Sequence, residues 1–154
     1  MKAPQVAVVL GSKSDLPALP GGEELLGRFG IGYDVIVASA HRQPKKVANL
    51  ASKAEAKGYE VIIAVAGYAA HLAGVVASHT TLPVIGVPLD GSPLNGVDSL
   101  YSMAMMPAGV PVATVTVGKA GVKNAAVLAA EILALKYPKV KKALVDFRKE
   151  MARG

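Results

Sequence analysis

A doubly wound parallel α/β sheet is the fold this 154-residue sequence predicts, and three observations predict it. Five short runs rich in Val and Ile recur along the chain, most of them are apolar without alternation, and helix-forming stretches with a polar side lie between them. Strands covered on both faces by crossover helices read as continuous apolar runs rather than as alternating ones. With only two Phe and no Trp, the core must be assembled from Val, Ala, Leu and Ile, the residues of helix-on-sheet layers.

The elements follow in order. Gln5 to Leu10 is the first strand and runs into Gly11-Ser-Lys-Ser-Asp15. Pro20, Gly21 and Gly22 then interrupt the helical pattern, so the first helix starts late or is kinked. Tyr33 to Ala38 is the second strand, and Gln43 to Lys57 is the helix that crosses to the third, Tyr59 to Ala66. Pro83 to Val87 and Val110 to Val117 complete the sheet, and Asn124 to Leu135 is a covering helix. A last helix, Lys139 to Met151, begins after Pro138 and carries Val140, Leu144, Phe147 and Met151 on one face. That face must lie on its own domain or on a neighbouring subunit, and packing of the helix, about 139–151, at a subunit interface is expected. The length fits one compact domain, 1–154.

Composition removes several classes of function. Apolar residues make up 52% and charged residues 18%, a balance that buries a core and lies far from disorder. The absence of cysteine excludes a disulfide framework, a thiolate metal site and a cysteine nucleophile. Val6 to Leu10 is too brief for a signal-peptide core, and no apolar stretch approaches the ~20 residues of a membrane span, so a cytoplasmic protein is expected. The net charge of +6 is largely terminal, because seven of the 17 basic residues fall between Lys136 and Arg153, where a solvated helix accounts for them. Basic residues are not interleaved with aromatics and no docking motif is present, so no nucleic-acid partner is expected.

In a doubly wound sheet ligands collect beyond the carboxyl ends of the strands. The junction Gly11 to Asp15 offers a helix start and two hydroxyls to a phosphate, or else is a capping turn in which Ser14 or Asp15 caps the helix and Pro17 sits in its first turn. His41 and Arg42 follow the second strand, where a histidine that titrates near neutrality and an arginine suited to phosphate or carboxylate form either a catalytic pair or a surface feature. His71 reads as a hydrogen-bonded residue lining the pocket and His79 as a helix-terminal or surface residue. Their spacing matches no local metal-ligand pair and no carboxylates accompany them, so no metal is expected. Val117-Gly-Lys-Ala-Gly121 lacks the earlier glycine and the hydroxyl of a nucleoside-triphosphate loop, and no G-x-G-x-x-G occurs, which removes ATPases and dinucleotide enzymes.

Taken together, the ordered blocks GSKSD, SAHRxP, AGxAAHLxG, LPVIGVP, GVDSLYS, MP, GVPVATV and KNAAVLAAEIL make the chain resemble the N5-carboxyaminoimidazole ribonucleotide mutases from Val6 to about Lys149. The resemblance implies a flavodoxin-like three-layer sandwich with a central parallel sheet, usually an octamer, acting in purine biosynthesis on a phosphoribosyl imidazole without a cofactor. It also implies roles. Ser12, Asp15 and Arg42 would hold phosphate and ribose with Ser39 beside them, Ser14 would support that loop, and His41 would be the general acid and base. Ala66, Gly67, Ala69, Ala70, His71 and Leu72 would wrap the imidazole and the migrating carbon dioxide. The chain departs from the bacterial pattern at Val65, Tyr68 and Ala73, which replace two glycines and a proline, at Met105, which stands for a common Gln, and at Gln43, which stands for Thr. Tyr68 is expected to narrow the pocket without closing it.

Overall fold

Side chains alternate across a strand, so a five-residue run such as β1 (Val6–Leu10) can be buried throughout only if both faces of its sheet are covered. In the computed structural model, which describes residues 4–154, that is how β1 lies. Val6, Val8 and Leu10 meet one helical layer, while Ala7 and Val9 meet the other. The sheet continues with β2 (Tyr33–Val37), β3 (Val61–Ala66), β4 (Val84–Pro88) and β5 (Ala113–Thr114). Its order is β2-β1-β3-β4-β5 and every pairing is parallel, with Val6 opposite both Tyr33 and Val61. This is the flavodoxin-like strand order, whose switch point lies between β1 and β3.

One layer consists of α1 (Pro20–Arg28), α5 (Lys119–Ala134) and α6 (Pro138–Met151), and the other of α2 (Pro44–Ser52), α3 (Leu72–Ser78) and α4 (Val97–Ala104). Pro20 is the first residue of α1, and a 3₁₀ turn over Lys13–Ala18 precedes it, so the helix does start late. Two glycines permit close approaches in the first layer, Gly22 of α1 towards α5 and Gly121 of α5 towards the segment that leads into it. A β-carbon on Gly22 would come within 2.5 Å of Val122 Cγ1, and one on Gly121 would fall 1.7 Å from the Thr116 carbonyl oxygen.

Some bounds differ from those expected. The helix expected over 43–57 divides into α2 and a 3₁₀ turn at Glu55–Lys57, and β5 keeps only two paired residues of the expected eight. Pro111, which cannot donate a hydrogen bond, precedes that pairing. As an edge strand β2 is half-exposed rather than covered on both sides, and it carries Asp34, whose carboxylate accepts a 2.6 Å hydrogen bond from the Tyr59 hydroxyl. This bond and burial push the Tyr59 phenol up to about 12, with burial the larger cause. The apolar face of α6 lies partly within the chain, with Met151 left exposed. Val140 is buried, Leu144 and Phe147 pack on the α1–α5 layer, and the Phe147 ring meets Phe29 edge to face at 5.4 Å. Among the described residues no helix is long and apolar enough to cross a membrane.

Candidate active site

The turn after β1 is built by two serines and an aspartate. Ser12 has extended backbone angles and caps the 3₁₀ turn: its hydroxyl accepts the Ser14 N–H at 3.3 Å, while Asp15 Oδ2 accepts the Ser12 N–H at 2.9 Å. The cap is therefore Ser12, where Ser14 or Asp15 was expected, and Asp15 closes the box. Gly11 and Asp15 also donate their N–H groups inside the chain, to Val65 and Ser12 carbonyls. What the turn holds out is thus mainly hydroxyl and carboxylate oxygen, not a cradle of amides. The Ser14 hydroxyl donates to that of Ser12 at 2.8 Å. Burial raises the Asp15 carboxyl above its ordinary value, against the opposing pull of the Ser12 N–H and the Ser14 hydroxyl.

Beyond β2, the Ser39 hydroxyl accepts both the N–H and the Nε of Arg42, at 3.3 and 3.5 Å, and so orients an otherwise exposed guanidinium. Beyond β3, the loop 67–70 leads into α3, and His71 is the residue that precedes the helix. His41 Nε2 and His71 Nδ1 stand 2.5 Å apart with their rings edge to face. One nitrogen donates and the other accepts, so each ring fixes the tautomer of its partner. A base oriented by a second group is the usual arrangement for positioned proton transfer.

Three depressions adjoin along this edge. The first, about 350 Å³, gathers His41, Arg42, Ser39, Ala66, Ala70, His71 and Leu72. Arg42 and Ser39 also line the second, about 390 Å³, together with Ser12 and Lys13. Ser14, Asp15 and Gly67 line the third, about 340 Å³, on the other side of the β1 turn, with Tyr68, Asp90 and Lys119. Ala69 is exposed and lines none of these depressions. Tyr68 stands beside Asp15 rather than among the walls of the histidine cavity. His79 follows the last turn of α3 and is exposed, a helix-terminal position as expected. A larger cavity of about 670 Å³ lies near the amino end of β4 and the segment before β5, but its walls hold no titratable side chain.

Lys13, Asp90 and Lys119 also line these depressions; the sequence marks the junctions 11–15 and 88–99 and the loop 117–121 without singling these residues out. The rule that ligands gather after parallel strands applies equally to the fourth and fifth junctions, where Asp90 and Lys119 stand.

A flavodoxin-like sheet that gathers a histidine pair, an oriented arginine and a serine-rich turn at its carboxyl edge defines a three-layer α/β protein with a candidate site at the switch point. The family can be stated as well: the profile of the AIR carboxylase family matches residues 5–154, and the chain belongs to that family. N5-carboxyaminoimidazole ribonucleotide mutase of Thermotoga maritima is 51% identical over 150 residues, covering 97% of this chain and 86% of that protein. The Pseudomonas aeruginosa protein of the same name is 54% identical over 143 residues, covering 93% and 88%. The crystal structure of Treponema denticola PurE superposes with a TM-score of 0.87 at 29% identity, covering 97% of this chain and 92% of that one.

Proposed function

We propose that this chain interconverts N5-carboxyaminoimidazole ribonucleotide and 4-carboxy-5-aminoimidazole ribonucleotide, with His41 as general acid and base. The contact between His41 and His71 beside Arg42 carries the reading, because it joins a titratable ring of fixed tautomer to a phosphate-type cation. The names of the relatives support the choice of substrate.

The chemistry balances without a cofactor. The bond between N5 and the carboxyl carbon breaks, its electron pair stays on nitrogen, and the nitrogen takes up one proton as carbon dioxide is released. The ring carbon then attacks the trapped carbon dioxide and loses one proton. Proton uptake equals proton loss, so one histidine returned to its starting state can serve both steps. Holding the gas beside the ring supplies the proximity that free reactants lack. Arg42, Ser12 and Ser39 hold the phosphate end; His71 keeps the His41 ring in its working tautomer.

The finer expectations belong to the same proposal: a cytoplasmic homo-octamer that needs neither metal nor nucleotide and binds no nucleic acid. The family name points to a second reading, direct carboxylation of aminoimidazole ribonucleotide. A paired assay separates them. Turnover of N5-carboxyaminoimidazole ribonucleotide at low bicarbonate is the expected result, and turnover only of aminoimidazole ribonucleotide with added bicarbonate would overturn it. Tight binding without either reaction would make the chain a phosphoribosyl-ligand binding protein.

A further inference from the structure

The loop 67–70 holds two non-glycine residues in the left-handed region, Tyr68 at φ 56° and Ala70 at φ 33°. A β-carbon there crowds the following carbonyl oxygen, and such strain persists where a site uses it. Inside the chain Tyr68 gains little in return. It is 60% exposed, and no hydrogen bond or ring contact engages it among the described residues.

Its position shows what the ring is placed to meet. Ala66 and Ala70, on either side of it in the loop, line the histidine cavity, whereas Gly67 and Tyr68 line the depression that contains Asp15. Tyr68 therefore stands on the ridge between two parts of the proposed ligand site. Besides the histidines, the flat group in the walls of the reaction cavity is the Arg42 guanidinium, which Ser39 engages, and among the described residues Tyr68 is the only tyrosine or phenylalanine that lines any of the three depressions. Rotation about χ1 carries an exposed tyrosine ring from one side of its backbone to the other without disturbing the core.

We propose that Tyr68 is a substrate-contacting residue whose ring is the flat wall for the planar imidazole of the ribonucleotide, so that loop strain is accepted for the sake of ligand contact. This rests on the phosphoribosyl-imidazole reading above.

Calorimetric binding of 4-carboxy-5-aminoimidazole ribonucleotide and of ribose 5-phosphate to the wild type, Tyr68→Phe, Tyr68→Leu and Tyr68→Gly tests it. Loss of one base–aromatic stack weakens binding about tenfold. The ribonucleotide should bind Tyr68→Phe within about twofold of wild type and the Leu and Gly variants about tenfold more weakly, while ribose 5-phosphate should not discriminate. Tyr68→Gly should melt no lower than wild type, because glycine accepts the left-handed conformation; a ring that only packs would show a lower Tm. Unchanged ribonucleotide binding by Tyr68→Leu overturns the proposal, as does equal weakening of both ligands. A fall in molar mass accompanying the loss would assign the ring to a contact between copies and also overturn it. Wild-type turnover with an indifferent Leu variant sinks this inference alone, whereas a wild type that neither binds nor converts the ribonucleotide sinks the functional reading with it.

Discussion

His41 and His71 come from segments thirty residues apart and meet because β2 and β3 flank β1 in parallel, which brings their carboxyl ends to one edge. His41→Asn keeps the size of the side chain and removes the titrating nitrogen, so turnover should fall by at least ~10²-fold while ribonucleotide binding persists. Arg42→Ala should weaken binding first, through loss of a charge-assisted contact. His71→Asn should lower kcat and change its pH profile with little effect on KM, because it acts through His41. Steady-state kinetics of the three variants check the assignment; near-normal kcat for His41→Asn would transfer the role to its neighbour. The positions of His41 and Arg42 were legible in the chain as residues following an apolar strand. The contact with His71 was not, since no local pattern encodes a pairing across three strands. Nor was the division of the site by the β1 turn, which leaves Ser14 and Asp15 on one side and Arg42 on the other.

At the scale of elements, the path of the chain into α5 depends on what is missing from glycine. Gly121→Ala would drive a methyl into the Thr116 carbonyl oxygen, and the cost should reach or exceed the ~1–3 kcal/mol of an overpacked core site. Gly27 lies within α1 and a β-carbon there would meet nothing within 4 Å, so Gly27→Ala should instead stabilise by about 0.5–1 kcal/mol. Denaturant melts of the pair should show opposite signs. Continuous apolar runs located the strands well, and Pro138 opens a helix where the pattern placed a start, whereas Pro20, Gly21 and Gly22, read as an interruption, form the first turn of α1. The bounds that slipped have physical causes. Without alternation or charge, nothing in Val110 to Val117 distinguishes paired residues from an extended approach, and α3 and α4 were not singled out because their short, largely apolar stretches merge with the loops before them.

For the whole molecule, one network ties the amino end of the sheet to the terminal helices. The Glu60 carboxylate accepts from Lys136 Nζ at 2.9 Å and from the Tyr137 hydroxyl. Burial alone would raise its carboxyl, but those bonds, the Lys136 charge and a further bond from Gln5 outweigh burial and hold it below the ordinary value. A carboxyl depressed in the folded state lends stability above its unfolded value near 4.5 and loses it as pH falls through the folded one. Glu60→Gln should therefore melt below wild type at pH 7, and the gap should narrow as the pH is taken below about 4.5, as calorimetric melts can record. Assembly is the other molecular property. Part of α6 packs on its own domain, and a further apolar surface lies on α4 and the loop before it, where Leu94, Val97, Tyr101 and Met105 are 62%, 51%, 61% and 78% exposed. Light scattering at micromolar concentration should give a multiple of the 15.7 kDa chain, and a stable monomer would contradict the octamer. The strand order also bears on how the chain reaches its fold. β1 is an interior strand, yet its second neighbour, β3, is encoded fifty-five residues later, and until then a Val-rich edge stays open. Closing that distance precedes any reward in contacts, so refolding should be slow and should lose yield to aggregation as protein concentration rises.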